Sequence, residues 1–157
     1  MLESTRAPDV EATATLDEVV RRRTDLYQAI LALEKAAARP AADREHQWVA
    51  DVLDALAELQ VEIADHIEIT ERPGGLYTEI VEAAPRLSGN VERLRAEHPE
   101  MRDATEALRA RLADADDVAI EEARDEIQRV LGRLVKHRQH GADLLWQAYT
   151  LDTGGSD

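Results

Sequence analysis

Between Leu87 and Leu112 the residues Leu87, Val91, Leu94, His98, Met101, Thr105, Leu108 and Leu112 recur at spacings of three and four. Such a row lines one side of an α-helix. It cannot line one face of a strand, where successive side chains alternate. Three more segments carry the same spacing. Leu16, Val19, Val20, Arg23, Leu26, Ile30 and Leu33 make the first row. Val49, Val52, Leu53, Leu56, Leu59, Ile63, His66 and Thr70 make the second. Ile120, Ala123, Ile127, Val130, Leu134, His137, Gly141, Leu144, Leu145 and Ala148 make the last.

The breaks between the rows use residues that start and stop helices. Thr15 with Glu18 three positions on forms a capping box, and Arg39-Pro40 ends that helix near Ala38. Asp43 reads as the N-cap of the second long helix. Arg72-Pro73-Gly74-Gly75 is the strongest breaker in the chain, and a short helix is predicted over 76–83. Pro85 suits the first turn of the third long helix. The aspartates of Asp114-Ala115-Asp116-Asp117 read as caps for the fourth. The predicted fold is all-α, an antiparallel up-down-up-down four-helix bundle over 15–151. A disordered tail is expected over 1–14 and a second tail over 152–157. Arg23 precedes Leu33 by the same interval that separates His98 from Leu108. This weak repeat makes the two halves copies of one hairpin and puts Arg23 at the position equivalent to His98.

Composition removes several functions. A chain of 157 residues can bury one substantial core. It has no cysteine, which excludes disulfides, thiolate metal sites and a catalytic thiol. A formal net charge of −14 argues against nucleic acid or an anionic membrane as partner. No apolar run approaches the roughly 20 residues of a membrane span, and the first 14 residues lack a signal-peptide core, so a cytoplasmic location is expected. Arginine far outnumbers lysine, present only as Lys35 and Lys136, which suggests a GC-rich bacterial genome. With no Ser-His-Asp order, nucleophile motif or glycosidase-like acidic pair, a non-enzymatic role is expected.

The chemistry-bearing residues are His66, His98 and His137, each standing where its row would have an apolar residue. A bundle could bring three such imidazoles towards one point, and imidazole is a common metal ligand. Bundle metal sites usually add a carboxylate one turn away. Four residues after the histidines stand Thr70, Arg102 and Gly141. Glu71, Glu97, Glu62, Tyr27 and His140 are the available substitutes. Three imidazoles with water suit one divalent ion, zinc or ferrous iron. The residues equally leave open a polar layer in a metal-free bundle that acts as a protein-interaction or regulatory module. His46 reads as a surface residue, and Trp48, Trp146 and Tyr149 as packing residues.

Three segments carry a family resemblance: His66 through Glu71 (His-Ile-Glu-Ile-Thr-Glu), Glu97 through Met101 (Glu-His-Pro-Glu-Met), and His137 through Leu145. In them the chain resembles the hemerythrin-like (HHE cation-binding) family, over roughly residues 15–155. The resemblance implies a four-helix bundle in which the first and third helices each give one histidine. The second and fourth each give a His-x-x-x-Glu pair or a close variant. Together they hold a di-iron centre that takes oxygen, nitric oxide or peroxide. The pattern is met at His66, His98 and His137. Thr70 and Gly141 stand where carboxylates would, and Arg23 where the first helix's histidine would. The resulting expectation is a degenerate metal site, mono- or di-iron or zinc, with a small-molecule ligand for sensing, storage or detoxification.

Overall fold

The computed structural model describes residues 10–150, with side chains from residue 16 onward. Four long helices, α1 (Val10–Ala38), α2 (Glu45–Glu71), α4 (Ser88–Asp114) and α5 (Ile120–Tyr149), are joined by one short one, α3 (Leu76–Ala83). There is no strand among the described residues. Contacts run from α1 to α2, α2 to α4, α4 to α5 and α5 back to α1, which closes a ring around a shared interior. The short α3 packs across α2, α4 and α1 at one end.

The helix faces follow the apolar rows. Every residue of the row from Leu87 to Leu112 is buried, as are Val52, Leu56, Leu59 and Ile63 of α2. Each fully buried leucine or isoleucine contributes roughly 1.5–3 kcal/mol by leaving water. Trp48 is completely buried and donates its indole N–H to the Ala37 carbonyl at 3.3 Å, which ties α2 to the end of α1. Trp146 and Tyr149 are exposed at the far end of α5. Val20 is also exposed: it points about 100° around α1 from its buried neighbour Val19, which lies on the inward side.

The helix ends differ from the expected caps. α1 starts at Val10, so Thr15 lies inside it and not at its start. Of the tail expected over 1–14, positions 10–14 are therefore helical; the rest, and the tail over 152–157, fall outside the described residues. Asp43 is not the N-cap of α2. That position belongs to Arg44, and Asp43 sits in the preceding turn at φ 62°. Aspartate tolerates this left-handed conformation better than most residues. Pro85 opens a single 3-10 turn (Pro85–Leu87) ahead of α4. The N-cap of α5 is Ala119, which lacks a side-chain cap, and the acidic residues facing its dipole are Glu121 and Glu122 in its first turn.

The Gly74-Gly75 pair has a steric reason. Gly74 adopts φ 71°, and a Cβ on Gly75 would lie 2.8 Å from the Arg72 carbonyl oxygen. The turn folds α3 back so that Tyr77 reaches the interior.

The core is not continuous. One apolar cluster includes Leu26, Ile63, Met101 and Leu134. The other includes Val19, Ile69, Leu94 and Leu144, together with the buried residues of α3. Between them lie Arg23, His66, His98 and His137, one from each long helix.

Candidate metal centre

The three histidines predicted from sequence come together. Their potential ligand nitrogens lie within 4.8 Å of one another, and all three side chains are buried. Ring centroids are 4.8 to 5.2 Å apart. The closest pair is Nε2 of His66 and Nε2 of His137, at 3.1 Å.

Two carboxylates hold the rings from outside. Nδ1 of His98 lies 2.7 Å from Glu71, and Nδ1 of His137 lies 2.9 Å from Glu97. An ionised carboxylate only accepts, so both imidazoles donate from Nδ1 and turn the Nε2 lone pair inward. Carboxylate–histidine pairing of this kind orients metal-binding imidazoles and raises their basicity. Glu97 also accepts from Nδ1 of His140 at 2.5 Å. The Tyr77 hydroxyl lies 3.3 Å from Nε2 of His98 and its ring stacks on that imidazole. Nδ1 of His66 is buried and has no partner.

Burial keeps the cluster neutral. It pushes His66 well below its ordinary pKa, with further lowering from His137, His98 and Arg23. Burial lowers His98 too, against the opposing pull of Glu71, and takes His137 down to about 4 despite Glu97. Glu97 itself is held below the usual carboxylate range. Its burial acts the other way, but the hydrogen bonds from His140 and His137 prevail.

Arg23 points into the layer. It shares a cavity of about 20 Å³ with His66, Tyr77, His137 and Gly141, room for about one water. One guanidinium nitrogen donates to the Arg138 carbonyl at 3.4 Å. Another lies 2.7 Å from where a Cβ on Gly141 would stand. The guanidinium thus fills the space that a side chain at 141 would need. Burial, then the nearby Arg138, lowers the Arg23 pKa.

The substitutes divide. Glu71 and Glu97 reach the cluster, but on the outer nitrogens of the histidines. His140 reaches only Glu97. Tyr27 is exposed and covered by the Arg138 guanidinium at 4.4 Å. Glu62 faces a separate acidic groove with Asp25 and Glu58. Thr70 bonds the His66 carbonyl at 2.8 Å, which satisfies its hydroxyl within its own helix. His46 is exposed. Tyr77 was missed by the sequence reading. Its signal was a polar-tipped aromatic on the otherwise apolar face of α3.

Residues 14–141 match the family model described as the hemerythrin HHE cation-binding domain. The chain belongs to this family. No curated protein matches it, and no solved structure does. A hemerythrin HHE domain implies metal binding, typically of iron, and the three histidines could hold an ion. The donor set fits one. Three neutral imidazoles, two of them anchored from behind and one with an orphaned nitrogen, form the nitrogen-rich set that zinc and ferrous iron accept. Nitrogens around a tetrahedral ion lie about 3.3 Å apart, given metal–nitrogen bonds of about 2.0–2.1 Å. His66 and His137, at 3.1 Å, already meet that spacing, whereas His98, within 4.8 Å of the others, must close by up to about 1.5 Å.

Proposed function

We propose that the chain is a mononuclear member of the hemerythrin HHE family, with His66, His98 and His137 holding one iron or zinc ion. The observation that carries this reading is the convergence of three buried, neutral imidazoles backed by Glu71 and Glu97. A bound ion supplies a Lewis-acidic position for a small ligand such as oxygen, nitric oxide or peroxide. Glu71 and Glu97 fix the tautomer and direction of two rings. Tyr77 offers a hydroxyl at the rim. Arg23 brings a fixed positive charge to the place where a second ion would need neutralising carboxylates, so one ion is favoured over two. The role is non-enzymatic sensing, storage or detoxification, in the cytoplasm.

The same reading takes the long helices as alternating up and down. The ion pairs Glu18–Arg72, Arg22–Asp65 and Arg39–Asp51 support it, because positions climb along α1 as they descend along α2. Glu97–His137, Glu100–Arg133 and Arg111–Glu126 follow the same order between α4 and α5.

A second reading is a metal-free bundle that acts as an interaction or regulatory module. The guanidinium of Arg23 beside the imidazoles favours it, since a fixed cation opposes an incoming one. Elemental analysis of protein grown with supplemented iron and zinc separates the two. About one metal per chain, lost in a His66→Ala/His98→Ala/His137→Ala variant that still folds, is expected. Two metals per chain would refute the mononuclear assignment. None after reconstitution would leave the metal-free module.

A further inference from the structure

A groove of about 740 Å³ lies between α4 and α5, on the outer side of Glu97. Arg93, Arg129, Arg133 and Lys136 line it, with Glu97 and Glu100. This gathering runs against the composition, since the chain carries 33 acidic residues against 19 lysines and arginines. Two other surface grooves show the prevailing charge: one is lined by Asp25, Glu58 and Glu62, another by Glu45, Asp116 and Asp117, while a third mixes Lys35 and Arg39 with Asp51, Asp54 and Glu58.

The two carboxylates of the basic groove do not cancel it. Glu100 pairs with Arg133 at 3.4 Å. Glu97 keeps its charge while it accepts from His137 and His140, so four cations stand against two carboxylates and the groove stays positive. Arg93, Arg129 and Lys136 form no ion pair among the described residues, and all three are exposed. Beneath them Met101 and Gly132 leave an apolar, shallow floor. Like charges held together without partners repel one another, and an anion relieves that repulsion. Guanidinium groups match phosphate oxygens in paired hydrogen bonds, and an ammonium adds a point charge.

We propose that the groove between α4 and α5 binds a small molecule carrying two or more phosphate groups. The volume is that of a small-molecule site. A net charge of −14 opposes long polyanions and anionic membranes, whose charge extends well past the groove, whereas a compact ligand meets only the local cations. The groove adjoins the histidine layer through Glu97, but none of His66, His98 and His137 lines it, and its cations do not depend on a bound metal.

The test is calorimetric titration of the chelator-treated, metal-free chain with inorganic pyrophosphate at low ionic strength. Saturable binding at one site per chain is expected, at least tenfold tighter than orthophosphate and weakened by added salt. An Arg129→Glu/Lys136→Glu variant, altered only at exposed positions, should lose at least tenfold in affinity while keeping its melting temperature. Arg21→Glu, on α1 and outside the groove, should not change it. No binding at millimolar pyrophosphate, or binding indifferent to the double variant, overturns the proposal. A single-stranded oligonucleotide that binds as tightly and fails with the same variant also overturns it, because the ligand would then be an extended polyanion.

Discussion

At the scale of single residues, Arg23 and Gly141 work as a pair. The guanidinium lies over the glycine in the space that a carboxylate at 141 would occupy. Removing the charge should strengthen cation binding. Arg23→Met is expected to tighten the affinity for zinc about tenfold, the scale of a screened repulsion of roughly 1–2 kcal/mol, as read by competition with a chromophoric chelator. An unchanged or weaker affinity would show that Arg23 does not oppose the ion. Protonation tests the buried imidazoles in the metal-free chain. His137 titrates near 4 when folded and near its ordinary 6.5 when unfolded, so on acidification the unfolded chain takes up the proton first. Its stability is intact above about 6.5 and falls as pH drops to about 4, by roughly 3 kcal/mol for this group alone. Urea unfolding midpoints across that range, with His137→Leu for comparison, should show a shallower decline in the variant. The three histidines were legible in the sequence because each interrupts an apolar row. Glu71 and Glu97 were named as substitute ligands, but their place on the outer nitrogens of His98 and His137 was not legible. Each meets its histidine across helices, from 27 and 40 residues away, which no local pattern encodes.

At the scale of helices, periodicity placed the buried faces well, since burial and helical spacing are one physical constraint. The short α3 lies over the residues expected for it. Helix starts were less legible. A cap depends on a local backbone angle, and Asp43, which has a good capping side chain, instead takes the left-handed turn before α2. That assignment is testable. Asp43→Gly should leave the melting temperature unchanged or raised. Asp43→Val should cost about 1–2 kcal/mol, because a β-branched side chain resists positive φ. Equal effects from the two would contradict the turn. Trp48 anchors the same corner, and Trp48→Ala is expected to cost about 3–5 kcal/mol in chemical denaturation.

At the scale of the molecule, metal and fold are coupled through mass action. On the proposed metal site, zinc or ferrous iron at about a hundred times its dissociation constant is expected to add about 2.7 kcal/mol to the stability of the chelator-stripped chain. For a domain of this size that raises Tm by about 5–10 °C. The rise should vanish in His98→Ala, and a rise that survives would place the ion elsewhere. The break between the two apolar clusters also bears on how the bundle opens. A dry interior would let go all at once, whereas this one has a seam at the imidazoles. The α3 end can part along that seam while the Trp48 end stays folded, so amides in α3 exchange with solvent before those around Leu56 and Leu59. On that expectation the buried layer has a doorway of its own, by which the proposed ion would reach it without the whole bundle unfolding.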